Sequence, residues 1–262
     1  MVKALASARR HRFAPVVLML LALLAVGGLY AVAAPQAAVA DAASTDDVEN
    51  GEKLFAANCA SCHGPSAEGA TASPSLIGVG AASVHFQVST GRMPMAANAP
   101  QAPEKGVQFD AEQTAQLAAY VATLGPGPAI PDSEQVDPAQ GDAANGMLVF
   151  RTNCAMCHNA VGAGGALSEG KYAPSLFNST PTEIYEAMLT GPQSMPVFNE
   201  ENITPEAKRD VIAYLMEQRA GDSSPGGANL GSIGPVSEGM WVWIIGMGVL
   251  IGASVWIGAK SS

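Results

Sequence analysis

The sequence predicts an all-α fold in which two tandem copies of one small domain lie between two apolar helices. Three observations support this prediction. A series of short motifs occurs twice in the same order, two long uncharged apolar runs flank the repeated part, and no segment of useful length alternates apolar and polar residues as a half-buried strand does. We therefore expect a helical, water-exposed centre and an apolar helix at each end.

Residues 1–40 form a basic head followed by an apolar segment. The apolar run at 15–34 would rise roughly 30 Å as a helix, which matches one hydrocarbon core. We expect it to be retained as a transmembrane helix. A cleaved signal sequence is the alternative, because the Ala38-Val39-Ala40 tripeptide suits signal peptidase. Basic residues keep such a head in the cytoplasm, and here they are Lys3, Arg9, Arg10 and Arg12.

Two domains, at residues 45–125 and 141–220, carry the repeated motifs. Each copy opens with a glycine and a phenylalanine, continues with Pro-Ser-Leu and Met-Pro motifs, and closes with an amphipathic helix, predicted at 111–124 and 205–219. At about eighty residues, each copy is small for a self-sufficient hydrophobic core. The opening pairs are Gly51 with Phe55 and Gly146 with Phe150.

Segments rich in proline and glycine separate these units. Residues 126–140 are predicted to be a semi-rigid linker between the two domains, and residues 221–239 connect the second domain to the last unit, 240–262. In that unit the run at 241–259 carries no charge, which predicts a C-terminal transmembrane helix running from the outside to the cytoplasm. The residues expected to anchor it at the two interfaces are Trp241, Trp243, Trp256 and Lys260.

The net charge of the chain is −10, and the acidic residues lie mainly between the two apolar runs. Such a surface excludes nucleic-acid binding as a function. It is typical of a soluble exported domain, and it also suits a partner with a basic face.

All four cysteines of the chain lie in two Cys-x-x-Cys-His motifs. Two thiols at this spacing form thioether bonds to the vinyl groups of a haem, and the adjoining imidazole is placed to become an axial iron ligand. The motifs predict two covalently bound haem c groups, which would also supply much of each small core. Because haem c is attached outside the cytoplasm, the two domains should be extracytoplasmic. The motif residues are Cys59, Cys62 and His63 in the first copy, and Cys154, Cys157 and His158 in the second.

Two structural disulfides or one zinc site are the alternative uses of four cysteines. A zinc ribbon places its two Cys-x-x-Cys pairs roughly 15–20 residues apart, whereas Cys59 and Cys154 are about 95 positions apart. Neither alternative explains why a histidine directly follows each pair. Both are therefore weaker interpretations than haem attachment.

Met93 and Met195 are the candidates for the sixth iron ligand, one in each copy. Each follows a Thr-Gly loop and precedes a proline, which favours an extended backbone at the methionine. Met95 is the rival to Met93, but no proline follows it. Among the histidines outside the motifs, His85 is interpreted as a packing residue rather than a second ligand. His/Met ligation predicts higher potentials than His/His ligation.

With these parts in this order, the chain resembles the di-haem cytochrome c subunit, cytochrome cc, of the actinobacterial cytochrome bcc complex (menaquinol:cytochrome c reductase). The resemblance covers essentially the whole chain. It implies a cytochrome b subunit, a Rieske iron–sulfur subunit and a terminal cytochrome c oxidase as partners in one membrane supercomplex, with no catalytic acid or base on this chain. It also implies that one haem is held by Cys59, Cys62, His63 and Met93, and the other by Cys154, Cys157, His158 and Met195.

Three other functions stay open. The chain could be the di-haem subunit of a cbb-type oxidase, although such a subunit normally carries its membrane helices before the haem domains. It could be the cytochrome subunit of a periplasmic dehydrogenase, although those often have three haem sites. The third alternative is a membrane-tethered electron shuttle, which would purify without cytochrome b.

Overall fold

The computed structural model describes residues 13–33, 44–71, 73–97, 99–220 and 235–260. Within these ranges the chain forms α-helices, two short 3₁₀ turns at Pro138–Gln140 and Ser168–Gly170, and two strands, β1 (Gly165–Ala166) and β2 (Tyr172–Ala173). The helices are α1 (Ala14–Ala33), α2 (Thr45–Asn58), α3 (Ala60–His63), α4 (Gly80–Ser89), α5 (Ala111–Thr123), α6 (Ser133–Val136), α7 (Ala143–Asn153), α8 (Ala155–His158), α9 (Pro181–Thr190), α10 (Pro205–Ala220) and α11 (Pro235–Lys260).

The predicted all-α class is wrong in one detail, because β1 and β2 pair antiparallel in the second domain. Gly165 lies opposite Ala173, and Ala166 lies opposite Tyr172. Two residues per strand are too few for an alternating pattern to appear in the sequence. The mainly helical architecture is confirmed.

Both ends of the chain form an apolar helix. Within the described part of the chain, Gly239–Ala259 in α11 is long and apolar enough to cross a membrane, whereas the apolar stretch Pro15–Gly28 of α1 is shorter. The membrane-spanning role of α1 therefore stays a prediction. The basic head, the possible cleavage site after Ala40 and most of the segment at 221–239 lie outside the described residues.

The segment at 126–140 contains more structure than its linker composition predicts. Asp132 accepts a hydrogen bond from the backbone of Gln135 (2.8 Å), and the Gln135 amide oxygen accepts one from the backbone of Asp132 (3.0 Å). This reciprocal pair is a capping box, which starts the short helix α6. Gln135 Nε2 also lies 3.4 Å from the Tyr185 hydroxyl. The segment thus packs against the second domain.

The same helix crossing holds each domain together. In the first domain α2 crosses α5 at Gly51, and in the second domain α7 crosses α10 at Gly146. One turn after each glycine, a phenylalanine contacts a tyrosine of the last helix. The ring centroids lie 5.3 Å apart for Phe55 and Tyr120, and 5.5 Å apart for Phe150 and Tyr214. All four rings are buried. The repeated motifs therefore mark equivalent packing positions, which confirms the predicted duplication.

Replacing Gly146 by valine should destabilise the second domain. A Cβ atom at Gly146 would overlap the backbone oxygen of Asp210 in α10, so α7 and α10 would have to separate. Overpacking of this kind costs about 1–3 kcal/mol and occasionally more, which lowers the Tm of a domain this size by roughly 4–8 °C per kcal/mol. Ala144→Val is the control, because Ala144 is exposed on the same helix. Thermal unfolding followed by circular dichroism measures both variants, and an equal Tm would contradict the close crossing.

The two domains contact each other through equivalent helices, α4 of the first and α9 of the second. Three polar contacts add to this interface. The Gln101 side chain donates to the Tyr172 carbonyl (2.8 Å) and accepts from the Tyr172 amide (2.9 Å). The backbone amide of Ala102 donates to the Gln193 side chain (3.1 Å). The third contact joins His85 to Glu186.

Candidate haem sites

Both Cys-x-x-Cys-His motifs adopt the same local geometry. The first cysteine ends the opening helix and starts a short helix, with φ of −117° at Cys59 and −118° at Cys154. The backbone amide of His63 donates to the Cys59 carbonyl, and that of His158 donates to the Cys154 carbonyl, both at 2.9 Å. Each motif thus forms one helical turn, which brings its two thiols and its imidazole together.

A proline carbonyl orients the imidazole in both motifs. His63 Nδ1 lies 2.9 Å from the Pro74 oxygen, and His158 Nδ1 lies 3.0 Å from the Pro174 oxygen. A carbonyl oxygen only accepts, so Nδ1 carries the proton and Nε2 keeps its lone pair. Histidines that bind metals are oriented by a second hydrogen bond of this kind. Both prolines belong to the repeated Pro-Ser-Leu motif, whose role the sequence did not reveal.

Burial affects the ionisation of the motif side chains. It raises the pKa of Cys59 and Cys154 to about 11, whereas a reactive thiol or a zinc-binding thiol requires a lowered pKa. Burial also lowers the pKa of His158, and the hydrogen bond to Pro174 partly offsets this effect. These environments do not favour a redox dithiol, and they keep the His158 ring neutral.

A cavity of about 1110 Å³, including space open to solvent at its mouth, brings together all four residues predicted for the second site. Cys154, Cys157, His158 and Met195 line it. An apolar cavity that contains two thiols, an imidazole and a thioether fits a covalently attached haem. Buried apolar residues form another part of this wall, among them Phe150, Ile184, Met188, Val211 and Leu215.

In the first domain the structure brings Cys59 and Met93 against one core cluster. The Met93 amide donates to the Gln87 carbonyl (2.9 Å), which fixes the methionine loop to the end of α4. The cluster at this site contains Phe55, Ala67, Val88, Leu117, Tyr120 and Val121, and Cys59 and Met93 pack against it as partly buried side chains. This environment is the counterpart of the second site.

His85 contacts Glu186 across the domain interface. Its Nδ1 lies 2.8 Å from Oε1 and 2.9 Å from Oε2 of Glu186, whose side chain is fully buried. Oε2 accepts the hydrogen bond from Nδ1, whereas Oε1 has no hydrogen-bond partner among the described residues. The contact fits the interpretation of His85 as a packing residue.

The contact between α4 and α9 should weaken as the pH rises from neutral to alkaline. The hydrogen bond with Glu186 raises the pKa of His85 above its ordinary 6.5, and burial raises the pKa of Glu186. Both groups bind protons more tightly in the folded contact than in the unfolded chain. Their stabilisation is therefore complete at low pH and is lost as the pH rises through the raised values. Glu183, whose charge acts on both groups, reinforces this direction.

Hydrogen exchange of α4 and α9, measured on either side of the His85 pKa, tests this expectation. Protection at the interface should fall at the higher pH in the unaltered chain. In His85→Gln it should depend much less on pH, because the titrating imidazole is gone. An unchanged pH dependence in His85→Gln would show that another group controls the contact.

Side chains of the first domain also line the cavity of the second site, which the sequence did not predict. They come from α4, from the methionine loop and from the segment after it, and they are Phe86, Thr90, Arg92, Gln101 and Glu104. The sequence separation across this wall is large, for example 71 positions between Gln101 and Tyr172. Local motifs contain no signal for such a contact.

Comparisons with known proteins agree with two cytochrome c domains. The family model "Cytochrome c" matches residues 48–125, and the model "Cytochrome C oxidase, cbb3-type, subunit III" matches residues 141–215. The cytochrome c subunit of the cytochrome bc1 complex of Mycobacterium tuberculosis is 48% identical over 96% of this chain and 92% of its own length. The subunits of the same name from Mycobacterium leprae and Corynebacterium diphtheriae are 46% and 43% identical, over 93% and 87% of this chain and 87% and 86% of their own lengths. The chain belongs to the family of cytochrome c subunits of the cytochrome bc1 complex, and is thus an electron-transfer subunit of a membrane-associated respiratory oxidoreductase.

Proposed function

We propose that this chain takes electrons from a Rieske iron–sulfur subunit and passes them to a terminal cytochrome c oxidase through two covalently bound haem c groups. The observation that carries this proposal is the convergence of Cys154, Cys157, His158 and Met195 on one apolar cavity. The duplicated fold supports an equivalent site in the first domain. Quinol oxidation would take place on other subunits, so this chain needs no catalytic acid or base.

Each site residue has a separate role in this proposal. The paired cysteines would hold the haem covalently, and the histidine would offer Nε2 to the iron while its Nδ1–H donates to the proline carbonyl. Met93 and Met195 would each supply a thioether sulfur as a further ligand to their haem. The haem supplies one-electron chemistry when bound, and the protein sets its ligation, its burial and its exposure.

The proposal places the two domains on the extracytoplasmic side of the cell membrane. Haem attachment supports that side, and the uncharged segment Gly239–Ala259 supports a C-terminal anchor. With α1 retained as a second span, the chain would cross the membrane twice. The C-terminal helix would contact cytochrome b or the oxidase within the membrane.

Affinity purification of the full chain from its native membranes tests this function. Cytochrome b, the Rieske subunit and an oxidase should be recovered together with the tagged chain. Recovery of the tagged chain alone would indicate a tethered shuttle and contradict the proposal.

A role as the di-haem subunit of a cbb-type oxidase is the second candidate. The family match over residues 141–215 favours it, although that match covers only the second domain. The same purification separates the two candidates. Recovery with a cbb-type oxidase and without cytochrome b would favour the second one.

A further inference from the structure

The cavity of the second site is shared between the domains, because five residues of the first domain line it. One of them, Arg92, is the only arginine or lysine among the described residues of this wall. Glu104 and Glu183 are the acidic residues there. Any positive side-chain charge that these residues offer a bound group must therefore come from Arg92, which lies outside the second domain.

The structure holds the Arg92 side chain in a buried position. Only 8% of the residue is exposed, and its guanidinium lies 5.0 Å from the centre of the Phe86 ring. Gly91, with a φ of 66°, makes the turn before it; a side chain at this position would overlap the backbone oxygen of Lys105. The tight turn and the aromatic ring together direct the cation to the cavity wall.

The ion pair of Arg92 within the chain is weak. Its Nη2 lies 3.5 Å from Oε2 of Glu104, whose side chain is 60% exposed. Solvent screens a pair with such an exposed partner. A guanidinium stays protonated and presents several N–H donors in one plane, so it can bind a second carboxylate in addition.

We propose that Arg92 of the first domain binds a propionate carboxylate of the haem in the second domain. This inference rests on the proposed function, since it requires a haem on Cys154, Cys157 and His158. A haem carries two propionate carboxylates on one edge, and a buried arginine is the side chain best suited to bind one of them. The first domain thereby completes the second haem site.

The position of Arg92 has a consequence for electron transfer. A positive charge beside a haem favours the reduced iron, because reduction removes one positive charge from the iron centre. Arg92 therefore raises the midpoint potential of the second haem. Met93, the proposed ligand of the first haem, is the next residue in the chain. One short segment thus contributes to both sites.

Spectroelectrochemical titration of the full chain tests this inference, with Arg92→Gln, Arg92→Lys and Glu104→Gln as variants. Mass spectrometry first counts the covalent haems in each protein. The titration wave that moves in Met195→Ala identifies the second haem. Arg92→Gln should lower the potential of that wave, and Arg92→Lys should restore most of it. Glu104→Gln should raise it slightly, because a negative charge is removed.

The outcomes distinguish this inference from the proposed function. If mass spectrometry finds fewer than two haems on the unaltered chain, the two-haem function fails, and this inference fails with it. If both haems are present and Arg92→Gln leaves the second wave unchanged or moves only the first wave, the inference alone is wrong. If Glu104→Gln lowers the potential as Arg92→Gln does, Arg92 acts through its pair with Glu104, and the proposed contact with the propionate is overturned.

Discussion

Replacing Met195 by alanine should lower the midpoint potential of one haem by on the order of 0.1 V, within the roughly 0.8 V range that axial ligands span. Met195 lines the same cavity as His158. A thioether stabilises the reduced iron, and its loss leaves a position that water or hydroxide can occupy. The weak near-infrared band from sulfur to ferric iron should lose about half of its intensity, because two such haems are expected.

Met93→Ala and Met95→Ala are the matched variants for the first site. Met93→Ala should lower the potential of the other haem and remove the remaining half of the band. Met95→Ala should change neither. The assignment of Met93 is wrong if Met95→Ala alters the band and the potential while Met93→Ala leaves both unchanged.

Truncating the chain after Glu238 should abolish its association with cytochrome b and the oxidase while leaving both haems attached. All eight proposed haem residues precede this position, so export and attachment are preserved. The helix that is lost exposes large apolar side chains, including Trp243 (70%) and Leu250 (64%). Such side chains require lipid or another subunit around them. Quinol-driven oxygen uptake through this branch should disappear from the membranes.

A double variant, Gly248→Leu with Gly252→Leu, separates docking from tethering. An added Cβ meets nothing within 4 Å at either glycine, so the chain itself tolerates the larger side chains. Small residues let helices approach closely in membranes. The variant should stay in the membrane and yet be recovered with less cytochrome b.

For the truncation after Glu238, full recovery of cytochrome b and normal oxygen uptake would contradict the expectation. The helix would then be a dispensable tether, and the assignment to a bc1-type complex would be weaker.

The duplication of the domain could be predicted because its determinants are local and occur twice. Gly51 and Phe55 have the same spacing as Gly146 and Phe150, and each copy ends with an Ala-Tyr pair in its last helix. Sequence periodicity also predicted the last helix of each domain to within one residue at its end. The cysteines and histidines of both sites were identifiable for the same reason.

The missed features depend on short or distant contacts. β1 and β2 have two residues each, so no periodicity exists to detect. The role of Pro74 lies in its carbonyl, which the side chain does not reveal. Arg92 and Gln101 reach the second domain across a large sequence separation, so only the folded chain places them there.

We propose that this chain carries two haems through which the electrons of the complex pass. Anaerobic titration with quinol of the complex purified through this chain tests it most directly, with the reduced c-type haem counted per chain. We predict that two haems per chain become reduced, both through the Rieske subunit. Reduction of one haem or of none, in a complex that contains all its subunits, would contradict the account.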